Sequence, residues 1–219
     1  MKLTRIIGFG ICFLTFSSFG TVKKKKFIDF FTSFKGDSLA IGSPDYEKLF
    51  TPDSPWEVKG TPIDTSFSHI YSKEEAEDVQ YYINDNGENS TYGYYKVKLD
   101  LGYYLVIIRA GGEYWNSRVY ACLYHTGENK VTHTILIGED FGDAGASFTC
   151  KSVLRKKNKV WTITVHEYFS EPVDYDKFYN GEDESMEIRH TDILYQIDNV
   201  EDRYEFIEKE KKDKTEVVK

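Results

Sequence analysis

The chain is short of several things, and each shortage excludes something. Only 5 of its 219 residues are proline, against 17 tyrosines and 15 phenylalanines. A disordered chain cannot carry that much aromatic surface without burying it, so the protein is globular. Basic charge is also scarce: 28 Lys and Arg stand against 36 Asp and Glu. The positive runs, Lys23–Lys26 and Arg155-Lys156-Lys157, are short and have no interleaved aromatics. That argues against nucleic acid, whose phosphates demand a basic face. No apolar run reaches the roughly 20 residues of a stable membrane anchor. Nucleophile elbow, P-loop, dinucleotide fingerprint and zinc-protease helix motifs are all missing.

The longest apolar run lies at the N-terminus. Lys2 and Arg5 precede the apolar stretch Ile6–Phe16, and Ser18-Phe19-Gly20 places small residues where a signal peptidase reads. Residues 1–20 are therefore expected to be a cleaved signal peptide, and the mature protein to be periplasmic or extracellular. Cleavage removes two of the 28 cations and none of the anions, taking the net charge from −8 to −10. Lipidation at Cys12 is disfavoured, because Ile11 occupies the position that normally holds a small residue. Cys122 and Cys150 remain, an even number in an oxidising compartment. In a simple meander they lie two strand spacings apart, about 9.6 Å, too far for a disulfide. Two free thiols are expected.

The dominant pattern is alternation with period two. Tyr94–Leu99, Tyr103–Arg109, Arg118–His125, Val131–Ile137, Phe148–Leu154 and Trp161–Phe169 are rich in β-branched and aromatic residues and separated by turn residues. Ile188–Ile197 and Arg203–Ile207 continue the series. The fold expected is mainly β, an antiparallel meander forming a curved sheet or sandwich with one or two short N-terminal helices. It forms one domain over residues 21–207, and the charged residues 208–219 read as a frayed tail. Burying both apolar sets of one hairpin puts Leu123 opposite Ile135 or His133, not Thr134, and requires an odd or bulged loop. His125 and His133 then share a face.

Other segments give weaker signals. Phe27, Phe30, Phe31 and Phe34 have helical spacing and predict a short helix ending near Gly36. Leu39–Pro62 reads as a loop with Trp56 as a plug. Ser72–Glu75 fits a capping box opening a second helix through Ile83, and Asn84–Asn89 reads as a turn. The signal, the Phe27–Phe34 segment and the hairpin Gly127-Glu128-Asn129-Lys130 running into Ile135–Glu139 resemble small exported proteins of unassigned role from Bacteroidetes. That resemblance implies an exported compartment and a β-rich fold.

Candidate chemistry follows from loops and histidines. Ser170–Ser185 is an acidic excursion carrying Tyr175, Phe178 and Tyr179, and Tyr114-Trp115 lies between two strands. Tyrosine and tryptophan at loop tips give contact area at small entropic cost. Tyr114, Trp115, Tyr175, Phe178 and Tyr179 are therefore the expected binding residues of a non-enzymatic domain. Its ligand would be a protein or a carbohydrate, and the acidic charge would steer a cationic one. No cofactor is expected. One alternative is a calcium-stabilised structural protein using Glu139, Asp140 and Asp143 of the glycine-rich segment Glu139–Gly145. The other is a hydrolase assembled in three dimensions from His125, His133 and His166, or from Glu167 with Asp174 or Asp176. Alternation sets His166 on the polar side of its strand with Thr162 and Thr164, which weighs against a three-histidine site.

Overall fold

The computed structural model describes residues 25–41, 60–71, 91–111, 117–143 and 145–219. The expected signal peptide, Trp56, the Ser72–Ile83 helix, the Asn84–Asn89 turn and the Tyr114-Trp115 loop lie outside them. The described residues build one open sheet of eleven strands. Its long members are β4 (Thr91–Lys98), β5 (Tyr103–Gly111), β6 (Ser117–His125), β7 (Lys130–Asp143), β8 (Ala146–Lys157), β9 (Val160–Pro172), β10 (Met186–Val200) and β11 (Arg203–Val218). From β4 to β11 each strand pairs antiparallel with the next, as the alternation predicts. Three short strands attach: β1 (Thr32–Ser33) parallel to β4, β2 (Ser38–Ile41) on β8, and β3 (Thr61–Pro62) on β4.

Tight turns set the register. The pairs Leu101 and Gly102, Asn158 and Lys159, and Glu201 and Asp202 all have positive φ between paired strands. This is the mark of two-residue type I′ hairpins, whose twist matches that of the strands they join. Between β6 and β7 the register places Leu123 opposite His133 and Ala121 opposite Ile135. The required irregularity is a bulge between Leu123 and Tyr124. It displaces Val131, expected beside His133 and Ile135, onto the other face, opposite Tyr124.

The sheet doubles over along β7. Residues up to Gly138 pair with β6, and from Glu139 onward with β8. Leu105, Ile107, Ala121 and Leu123 of one half thereby bury against the same core as Leu154, Trp161, Ile163 and Val165 of the other. Ser152, buried on β8, donates to the Ile137 carbonyl at 2.7 Å and ties the crossover. A second core lies on the opposite face of β5 and β6, where Val106, Ile108, Tyr120 and Cys122 are covered by Phe27, Phe30, Phe31, Ile63, Ile70 and Tyr71. At the far end Tyr204 of β11 donates to Asp100 at 2.5 Å and its ring lies 5.5 Å from Tyr103, bringing the last strand back to the first hairpin.

Four expectations are corrected. Only Phe27–Phe30 is helical, as a 3-10 turn, because Thr32–Ser33 pairs with the edge of β4. Phe34 then packs on the inter-layer core, against Trp161 and Tyr95, apart from Phe27, Phe30 and Phe31. The region expected to be a loop contributes β2 and β3 at its ends. Glu139–Asp143 is strand rather than loop, paired antiparallel with Ala146–Cys150. Residues 208–218, expected to fray, extend β11 along the full length of β10. Alternating Lys and Glu signals solvation from sequence, but it also suits an exposed edge strand, where charge discourages pairing with other chains.

Cys122 and Cys150 are both free and fully buried, each in a different core. Burial pushes both thiols up to about 12. Since the thiolate is the reactive form, neither should be labelled by an aromatic disulfide reagent at pH 8 in the folded protein. Both should react rapidly in denaturant, and the time course of absorbance at 412 nm checks this.

Candidate binding surfaces

The expected aromatic site is built at the connection between β9 and β10. Asp174 opens the one-turn helix Tyr175–Tyr179 by accepting from the Lys177 backbone N–H at 3.1 Å. This satisfies one of the free donors at a helix start. The far end is closed by the Asn180, Gly181 and Glu182 amides, which donate to the Asp176, Phe178 and Lys177 carbonyls. Phe178 turns inward: a Cβ added to Gly145 would sit 2.9 Å from its ring and 3.3 Å from Pro172. Gly145 has φ +86°, so the turn between β7 and β8 requires glycine for its backbone as well as for the approach of Phe178. With Phe178 as the anchor, Tyr175 and Tyr179 point outward at 40% and 62% exposure. Their rings lie 6.4 Å apart and 30° from parallel. Desolvation and the Glu171 carboxylate, which accepts from Tyr175 at 3.5 Å, raise the Tyr175 phenol above its ordinary value. Of the five expected binding residues, three thus meet on one turn of helix, two exposed and one lying over Gly145.

Two of the three proposed calcium ligands diverge. Glu139 and Asp140 are consecutive strand residues and project to opposite faces. Glu139 is 5% exposed and accepts from Arg118 Nε at 2.6 Å. Asp140 instead accepts from Thr149 at 3.3 Å. Asp143 closes β7 opposite Ala146. Among the described residues no group of three or more His, Cys, Asp or Glu side chains is placed to hold a metal ion.

The histidines also separate. His125 and His133 share a face as the register requires, with His125 stacked on Tyr103 at 4.5 Å and His133 beside the Thr132 hydroxyl at 3.2 Å. His166 is on the outer face of the other half of the sheet, so the three do not converge. Asp174 is occupied as a helix cap. Glu167 is partly buried beside Cys150, and desolvation raises its carboxyl.

What sequence reasoning missed lies around His166. Registers across β8, β9, β10 and β11 align Lys151, His166, Asp192 and Lys212 in one transverse row. The adjoining row is Thr149, Tyr168, His190 and Lys214. His166 Nδ1 is 2.6 Å from Asp192, and the His190 ring meets Tyr168 edge-on at 5.2 Å. A solvent-open depression of about 480 Å³ is lined by residues of both rows, and a second of about 210 Å³ adjoins it across His166 and Asp192. Alternation located His166 on the polar side. The partners were hidden because nothing local fixes which residue of β10 falls opposite.

Among the described residues no helix is long and apolar enough to cross a membrane. The chain matches no protein-family model, and comparisons with curated proteins and with solved structures find no similar protein.

Proposed function

We propose that the protein is an exported, non-enzymatic binding domain that engages a cationic partner through Tyr175 and Tyr179. The observation that carries this is the pair of outward tyrosine rings on a helix capped at both ends and anchored by Phe178. Side chains held in place before contact lose little freedom on binding, so their area converts efficiently into affinity. The surroundings are acidic, with Glu171 at the end of β9 and Asp174, Asp176 and Glu182 in the connection that follows. Across the chain 36 acidic residues exceed 28 basic ones, which favours encounter with a basic surface at low salt. The N-terminal signal pattern and the resemblance to exported Bacteroidetes proteins support the compartment.

The test is titration calorimetry of the mature chain against lysine- and arginine-rich peptides of defined sequence, beside neutral oligosaccharides. A cationic peptide should bind, and the double variant Tyr175→Ala/Tyr179→Ala should weaken it at least about 10-fold, since central aromatic contacts are each worth ~1–2 kcal/mol or more. Equal affinity of the double variant for every probe would remove the tyrosine pair from the interface. Preference for a neutral sugar would overturn the cationic partner.

A further inference from the structure

From the outer-face rows we infer a second binding site, separate from the tyrosine pair, that takes an acidic sugar bearing a carboxylate or sulfate group. The two central rows carry three lysines and two histidines; Asp140 beside them accepts from Thr149, Glu210 pairs with Lys212, Glu216 pairs with Lys214 and lies 3.7 Å from His190, and the carboxylate within the rows is Asp192. That carboxylate is already engaged by His166 Nδ1 at 2.6 Å. Lys212 has a partner in Glu210 at 2.7 Å, whereas Lys151, exposed at the rim of the larger depression, makes no ion pair among the described residues. An anion arriving there meets an uncommitted ammonium.

The imidazole supplies the second contact. With Nδ1 held by Asp192, the Nε2 edge of His166 is the one left for a ligand. In the neutral ring that nitrogen accepts from a hydroxyl, and sugars are rich in hydroxyls. Tyr168 and His190, standing edge to face beside it, add ring surface, with the His190 Nε2 turned to Glu216 at 3.7 Å. One residue unit carrying both an anionic group and hydroxyls satisfies Lys151 and His166 together. A polyphosphate such as nucleic acid needs many cations along its track, and here Lys212 and Lys214 of the two rows already have carboxylate partners. The row is also stiff. It crosses four hydrogen-bonded strands, about 14 Å at ordinary strand spacing, so its groups keep their spacing without a ligand.

The experiment is titration calorimetry of the full chain with tetragalacturonate, a sulfated heparin tetrasaccharide, neutral chitotetraose, inorganic sulfate and a single-stranded DNA 12-mer. The expected result is that at least one acidic tetrasaccharide binds, at least about 10-fold tighter than chitotetraose or sulfate. Lys151→Ala should weaken it about 10-fold or more, as expected for loss of a charge-assisted contact, and His166→Ala should weaken it less. Tyr175→Ala/Tyr179→Ala should leave it unchanged, which separates this site from the proposed tyrosine surface. Lys151→Gln provides a second variant, and unchanged circular dichroism and melting confirm that the fold persists. The inference is overturned if neither acidic sugar binds at millimolar concentration, or if chitotetraose or sulfate binds equally well. It is also overturned if the DNA binds with the same dependence on Lys151, or if the Lys151 variants bind as the native chain does.

Discussion

Replacing Ile163 with alanine should lower stability by about 4 kcal/mol. The side chain is fully buried at the centre of the core between the two halves of the sheet, where Leu105, Leu123 and Trp161 also pack. Removing three carbons there forfeits their transfer free energy and leaves a cavity that a sheet pinned on both sides cannot collapse. For a chain of this size the melting temperature should fall by roughly 8–15 °C. Thr164 is the next residue and faces outward, so Thr164→Ala should change stability by less than about 1 kcal/mol. Chemical denaturation of the two variants checks the sidedness of β9 directly: comparable losses would mean that the strand does not separate a buried from an open face.

The second large effect is expected at Arg118. Glu139 is the first residue of β7 to leave β6 for β8, and its carboxylate is buried with the Arg118 guanidinium at 2.6 Å. Arg118→Ala strands that charge, and breaking such a pair costs about 3–5 kcal/mol when fully buried. Arg118 is itself 32% exposed, so water partly replaces it and about 2–3 kcal/mol is expected. Arg118→Met/Glu139→Gln should recover at least half of the loss, because the penalty comes from the uncompensated carboxylate rather than from an intrinsic worth of the pair. A double variant no more stable than the single would locate the loss in packing instead. Urea melts of the three proteins decide between these.

The parts of the fold that were legible in the sequence are those with a local cause. Period-two alternation gave the strands from Tyr94 to Phe169. That Leu123 would face Ile135 or His133 and not Thr134 followed because two apolar sets must share a face, and the structure selects His133. The free cysteines followed from strand spacing, although the structure separates them further by burying them in different cores. The illegible parts have distant causes. Nothing near Thr32 signals the edge of β4, so helical spacing at Phe27–Phe34 misled. Glycine and carboxylate in Glu139–Asp143 look like a loop until β8 is available as a partner. The alternating charges after Glu208 look like a tail until β10 proves long enough to hold them.

The same division holds for the candidate surfaces. Tyr175 and Tyr179 were visible because aromatics in an acidic excursion need a reason to be there, but Phe178 could be told from them only by its position over Gly145. The row from Lys151 to Lys212 could not be seen at all, since it joins four strands through three registers.

The account stands on β7 serving two partners along one continuous strand. Cross-strand nuclear Overhauser effects measured on labelled protein address this most directly. The backbone of Ile135 should show contacts to Ala121, and the backbone of Phe141 to Phe148, in the same folded species. Contacts from residues 139–143 to β6, or none to β8, would contradict the doubled sheet and both surfaces built on it.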